Sequence, residues 1–210
     1  QRRAALEAQR IALRRYEAGY SGYLEVLDAQ RSLYAAQQGE IALQLAEQVG
    51  DAWIKETNQW IESHKDGPFF LYFASHDIHV PRMPHERFQG KTPLGFRGDA
   101  IVEFDWSVGE IVKTLERLKL ADNTLIVLCS DNGPVLDDGY ADGAVEKLGD
   151  HTPAGPFSGG KYSVLEGGTR TPFIAKWPAR IKPGVSDEVV CTIDLAASFA
   201  ALTSTPLPEN

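Results

Sequence analysis

The stretch Thr124-Leu125-Ile126-Val127-Leu128-Cys129-Ser130-Asp131-Asn132-Gly133-Pro134 decides the fold. Six apolar or β-branched residues run together and stop at a polar loop, the pattern of a strand buried on both faces. In an open α/β sheet, ligands bind at the carboxyl ends of strands. Asp131 and Asn132 offer a carboxylate and an amide oxygen there, both hard donors suited to Ca2+ or Mg2+. Taken alone, the stretch also reads as a strand followed by an Asx turn.

Upstream, Asp99 is placed to cap a helix that runs to Leu118, with Ile101, Val102, Phe104, Val108, Ile111, Val112, Leu115 and Leu118 at helical spacing. Before it, Phe69 to Ala74 is continuously apolar and breaks into Ser75-His76-Asp77-Ile78-His79-Val80-Pro81, another polar cluster at a strand's carboxyl end. The order strand, crossover helix, strand predicts two parallel strands with His79 and Asp131 facing one site. Ala52 to His64 reads as an amphipathic helix with Trp53, Trp60 and Ile61 on its apolar side. Downstream of Pro134 lies a Gly-, Asp- and Pro-rich loop of functional length. It ends at Gly159-Gly160-Lys161, and Glu166-Gly167-Gly168-Thr169-Arg170 follows; the glycine pairs let backbone approach a ligand around one cation. Pro172 to Trp177 reads as another buried strand, and Asp194 as the cap of a helix through Leu202.

The 210 residues are 43% hydrophobic, enough for a sizeable core, and the net charge of −8 with no basic run argues against a nucleic-acid partner. Cys129 and Cys191 read as apolar packing residues rather than a disulfide framework. The chain opens on Gln1 and its one methionine is Met83, so a natural start is expected further upstream. Composition changes near residue 50. Residues 1–50 hold seven glutamines, ten alanines and neither proline nor lysine, whereas all 12 prolines lie beyond. Leu6, Leu13, Leu27, Tyr34 and Ile41 sit at multiples of seven, with Tyr16, Leu24 and Leu45 beside them, and Gly19 and Gly22 interrupt the pattern. This predicts a helical hairpin with its tip at Gly19 to Gly22. Two domains are expected, 1–49 and 50–210, with a seam between Leu45 and Trp53.

The run Arg14 to Tyr34, with Arg15-Tyr16-Glu17-Ala18-Gly19 and Tyr23-Leu24-Glu25-Val26-Leu27-Asp28-Ala29-Gln30, resembles the periplasmic helical hairpin of TolC-type outer-membrane efflux channels. That resemblance implies channel protomers and a pump adaptor as partners of the tip. Residues 51–210 resemble the second half of an arylsulfatase-type sulfatase domain, in the alkaline-phosphatase-like superfamily. The motifs are Pro68 to Ala74 with His76 to Pro81, Asp105-Trp106-Ser107-Val108-Gly109, Asn123 to Gly133, and Gly160-Lys161 with Glu166 to Arg170. The fold this implies is α/β: part of an alkaline-phosphatase-like α/β/α sandwich with a mostly parallel sheet, preceded by the N-terminal α-helical hairpin.

The resemblance also implies roles. Asp131 and Asn132 match ligands of one divalent cation, usually Ca2+; Lys161 and His79 match the residues that contact the sulfate ester. Such residues suit the chemistry, because cleavage builds negative charge on the sulfate and leaving oxygens. His76 is expected to stand behind these groups, and His85 and His151 to be exposed loop residues. The family nucleophile is a formylglycine made within Cys/Ser-x-Pro-x-Arg, and neither Cys129, Cys191 nor any serine here lies in that motif. The chain therefore reads as a chimera whose parent hydrolysed a sulfated small molecule or glycan, and which is itself expected to be inactive. Both parts imply a periplasmic or exported protein. Two alternatives stand beside this reading: a phosphatase or phosphonate hydrolase of the same superfamily, against which Asn132 speaks, and a hairpin acting as a docking element.

Overall fold

A computed structural model describes residues 2–140 and 142–207, apart from the side chains of residues 42–49. Contacts divide the chain into two units, 1–179 and 180–210.

The first unit opens with the expected hairpin, α1 (Arg2–Glu17) and α2 (Tyr23–Ser63). Gly19 turns the chain with φ 75°, a value that suits a residue without Cβ. Tyr16 and Tyr23 pack across the turn with ring centroids 5.5 Å apart, and Arg2 pairs with Glu40 at 3.0 Å near the open end. The faces are not those of the heptad. Ala12, Val26 and Leu33 are buried, whereas Leu6, Leu13, Tyr34 and Ile41 are exposed. The buried residues, Ala12, Val26 and Leu33, lie one step before Leu13, Leu27 and Tyr34 of the heptad series, so the seam between the two helices is rotated by one position from that series. Leu45, one flank of the expected seam, lies outside the described side chains.

α2 runs unbroken through position 50 and takes in the helix expected separately at 52–64. Gly50 lies where a Cβ would come 2.9 Å from Glu103 Oε1, so its lack of a side chain allows the close approach of α3 (Gly95–Arg117). The buried residues of α2 here are Ile54, Thr57 and Ile61; Trp53, expected to be internal, is 41% exposed. α3 begins five residues earlier than the sequence suggested, with Leu94 rather than Asp99 at the cap position. Asp99 is not its cap: the carboxylate is 1% exposed and accepts hydrogen bonds from Gly90 N and Thr92 N, each at 2.8 Å, tying the preceding loop to the helix.

The sheet differs most from expectation. It has two strands, β1 (Ile126–Cys129) and β2 (Phe173–Lys176), and they are antiparallel, with Ile126 opposite Lys176 and Cys129 opposite Phe173. The mostly parallel sheet expected from the sequence is therefore not what these strands form. Residues 69–74 are extended but pair with no strand among the described residues. Their exposure alternates: Phe69, Leu71 and Phe73 are half-buried, Phe70 and Tyr72 are exposed. Phe69 meets Trp60 of α2 edge to face at 5.7 Å, so one face of a strand is covered and its hydrogen-bonding edges are not. β1 is half-buried rather than buried on both faces, β2 is exposed throughout, and Cys129 is exposed. Two strands without a covering layer on each face cannot bury such runs.

After β1 the chain loops through α4 (Glu166–Thr169) before β2. In the second unit, α5 (Asp194–Thr203) has Ile193 at its cap position rather than the expected Asp194, whose carboxylate instead accepts from the preceding Cys191 N at 2.9 Å; Cys191 is exposed, against the packing role expected of it.

Candidate active site

The loop after β1 is held by backbone contacts that only glycine permits. Gly133 N donates to Gly168 O at 2.8 Å, and a Cβ on Gly133 would fall 1.9 Å from Gly167 O. One residue on, Pro134 O accepts from Lys161 N at 2.9 Å, and a Cβ on Gly160 would lie 2.5 Å from the same carbonyl. The two glycine-rich stretches are thus pressed together, and the join sets where Lys161 starts.

Lys161 Nζ lies 3.2 Å from His79 Nε2, a contact between residues 82 apart in sequence. His79 Nδ1 lies 2.8 Å from Val80 O, which can only accept, so Nδ1 carries the ring proton and Nε2 accepts from the ammonium. Two residues not foreseen as partners complete the cluster. Asp138 Oδ2 is 3.6 Å from Lys161 Nζ, and Tyr162 OH donates to Asp138 Oδ1 at 2.8 Å. The Tyr162 hydrogen bond, with Lys161 and His79 behind it, holds the Asp138 carboxyl below its ordinary range. Tyr162 has φ 73°, an uncommon and strained value for a residue with a side chain. The signal that could have pointed to this pair is the Tyr adjoining Lys161 and the Asp-Asp step at 137–138.

Of the four expected site residues, the structure brings His79 and Lys161 together. Asp131 is exposed, Asn132 is half-buried, and their described contacts are local: Asn132 Nδ2 donates to Gly133 O at 2.9 Å, and Ser130 Oγ donates to Asn132 O at 2.9 Å. That turns the amide nitrogen inward and leaves its oxygen available as a hard donor. Two donors do not make a Ca2+ site, which takes six to eight oxygens, and among the described residues no three His, Cys, Asp or Glu side chains converge on a metal position. Calcium chemistry thus has only part of its ligand set in the described residues. When bound, such an ion would supply Lewis acidity at the ester oxygens.

A second cluster lies behind His79. His76 stacks edge-on with Trp53 at 5.8 Å and lies 3.4 Å from Asp77, while Glu103, 1% exposed, accepts from His85 N at 2.9 Å. His85 is half-buried and faces Asp51 at 4.0 Å, a correction to its expected exposure; His151 is exposed as expected. Burial raises Asp77 to about 6, raises Glu103 and lowers His76. The described depression lined by Trp53, Glu56, Thr57, Tyr72, Phe73 and Ala74 shares no residue with the His79–Lys161 pair. It follows the uncovered aromatic side of 69–74.

The sulfatase family profile matches residues 14–205. N-acetylgalactosamine-6-O-sulfatase of Bacteroides thetaiotaomicron is 52% identical over 172 residues, covering 82% of this chain and 34% of that protein. Human arylsulfatase A is 35% identical over 145 residues, covering 69% and 27%. A solved structure from a study of glycosaminoglycan metabolism by Bacteroides thetaiotaomicron superposes with a TM-score of 0.77 at 52% identity, over 78% of this chain and 34% of its own. The structure of Ps i-CgsB with k-i-k-neocarrahexaose superposes at 0.65 with 29% identity, over 77% and 35%. The chain thus spans about a third of the length of these relatives. With a profile match across most of its residues and relatives well above 30% identity, this chain belongs to the sulfatase family.

Proposed function

We propose that this chain supplies the sulfate-holding part of a hydrolase that splits a sulfate ester into an alcohol and inorganic sulfate. The observation that carries the reading is the 3.2 Å approach of Lys161 Nζ to His79 Nε2. An ammonium held beside an imidazole gives an anionic ester a fixed cation and gives the leaving oxygen a nearby proton source. In this scheme Lys161 neutralises charge on the sulfate, His79 orients the ammonium and exchanges protons at Nε2, and Asp138 helps hold the ammonium in place. Asp131 and Asn132 are assigned to the cation, with the remaining ligands and the formylglycine nucleophile coming from outside this chain. The names of the relatives favour a sulfated glycan as substrate, and an amino-sugar 6-sulfate within that class. A phosphatase role has less support, since Asn132 offers a neutral oxygen where a zinc ligand would be a histidine. Titration of the full chain with inorganic sulfate tests the site: saturable NMR shifts of the Lys161 and His79 side chains are expected, and binding unchanged by Lys161→Ala refutes the assignment.

We also infer that residues 1–49 are an efflux-type hairpin joined to the sulfatase part, in an exported or periplasmic protein. The abrupt change of composition supports the joining. The hairpin's exposed Leu6, Leu13, Tyr16, Tyr20, Leu24 and Tyr34 favour a docking role, with channel protomers or a pump adaptor as partners. A pull-down with a purified adaptor hairpin tests it, and capture that survives removal of residues 1–49 refutes it.

A further inference from the structure

α3 starts without a side-chain cap on Leu94 and without an acidic residue in its first turn. The unpaired N–H groups at such an end carry partial positive charge and ordinarily face an Asp, a Ser or an anion. Here cations gather instead. Arg97, in the first turn, is 4% exposed, and its Nε and Nη1 are buried without a hydrogen-bond partner. Helical side chains lean toward the N-terminus, so this guanidinium is carried back over the first turn. Lys147 closes over the same turn: a Cβ on Gly95 would lie 2.6 Å from Lys147 Cδ and 3.3 Å from its Nζ.

Arg82 is the third cation, side chain 2% exposed, and its field adds to burial in disfavouring a charged Arg97. One carboxylate, Asp142, faces both guanidiniums. Asp142 is already engaged, accepting from Arg82 Nη1 at 2.7 Å and from Ala144 N at 3.0 Å. Arg82 also donates to Val135 O and Leu136 O and has a buried unpartnered nitrogen at Nε, whereas Arg97 has two, Nε and Nη1. A buried guanidinium without a partner is costly, and a fork of donors beside an ammonium and free helix N–H groups matches an oxyanion. Lys147 is exposed, which leaves the position open to solvent.

We propose that the first turn of α3, with Arg97 and Lys147, binds a small oxyanion, a sulfate or carboxylate group, at a site separate from His79 and Lys161. The group could be free or carried on an acidic sugar, and the chemistry recognised is the same.

The test uses the full chain with Lys161→Ala, so that anion binding at the first site is silenced. Sodium sulfate should give saturable shifts of the amides of Gly95, Phe96, Arg97 and Gly98. Arg97→Met should weaken that binding about tenfold or more, the loss expected for charge-assisted hydrogen bonds, and Lys147→Met by a smaller factor. Because Arg97→Met removes a buried charge whose Nε and Nη1 have no hydrogen-bond partner, it should raise Tm in dilute buffer and reduce the rise in Tm that sulfate gives. A second titration, with a sulfated uronate disaccharide, separates the sources: tighter binding than sulfate assigns the site to a glycan, equal binding to a free ion. Absence of saturable shifts at 95–98 with either probe, or shifts undiminished in both Arg97→Met and Lys147→Met, overturns the proposal. Lys147→Met lies on the surface and keeps the result readable if Arg97→Met does not fold.

Discussion

Asp77 keeps its proton to a higher pH than it would in water, because burial lifts its carboxyl to about 6 from an ordinary 3.8. A raised carboxylate binds protons more tightly folded than unfolded, so its contribution to stability is complete below about pH 4 and is lost as pH rises through 6. The shift corresponds to roughly 2–3 kcal/mol. Buried Glu103 acts in the same sense, and His76, whose imidazolium is disfavoured by burial, acts oppositely as pH falls below its usual 6.5. Asp77→Asn is therefore expected to raise Tm at pH 7 and to flatten the pH dependence of stability between 4 and 6. Thermal melts across that range check it, and a lowered Tm at pH 7 would mean the ionised carboxylate has a stabilising partner. At the opposite side of the loop, Gly133→Ala should cost several kcal/mol, since its Cβ would overlap Gly167 O, a backbone atom with little freedom to shift. Gly19→Ala meets nothing within 4 Å and should cost only about 1 kcal/mol, the price of a positive φ. Urea titrations of the two variants, compared side by side, test the ranking.

Among the secondary-structure elements, those with a local signature were legible from the residues. The hairpin tip followed from Gly19 and Gly22, α3 from its 3.6-residue period, and β1 from its apolar run. Pairing was not legible, because it depends on which segments lie beside each other. Phe69 to Ala74 has the composition and the alternating exposure of a strand, yet nothing in its own sequence says whether a neighbour is present. The same reason hid Asp138 and Tyr162: their tie to Lys161 and His79 is a loop contact without periodicity. Trp53 lies on the apolar side of an amphipathic helix and is still exposed, because periodicity assigns a face but not what covers it. Unpaired strand edges exchange their amides freely. Hydrogen exchange at 71–74 should thus be much faster than at those amides of β1 that point toward β2, every second one along the strand; equal protection would show that 71–74 has found a partner strand. For the seam, α2 is continuous through position 50, so limited proteolysis should cut at Gly19 to Gly22 before 46–52. First cleavage at 46–52 would favour two loosely joined parts.

For the molecule as a whole, function turns on assembling groups that reach the site from several directions. If Asp131 and Asn132 are the cation ligands proposed above, one carboxylate and one amide are too few for a tight site, and Ca2+ binding should be no tighter than roughly millimolar, the range of poorly charged sites. Calorimetry checks this, and a micromolar site removed by Asp131→Ala would mean that further carboxylates complete the shell. Catalysis should be missing for a related reason. Lys161 and His79 lower a barrier only when a nucleophile is held in line with the sulfur, and such positioning is worth several kcal/mol. The sensitive assay is release of an activated aryl alcohol from its sulfate ester at neutral pH with Ca2+ present, comparing this chain with Lys161→Ala. No difference between them is expected; turnover that depends on Lys161 would show that water or a residue of this chain attacks. Adding a separately expressed sulfatase segment that carries Cys-x-Pro-x-Arg should then restore some activity and slow amide exchange at 71–74 together, because a strand entering beside Leu71 to Ala74 would both cover that edge and bring the nucleophile to Lys161. Restored activity without protection at 71–74 would place the incoming strand elsewhere, and protection without activity would leave the Lys161–His79 assignment as the step at fault.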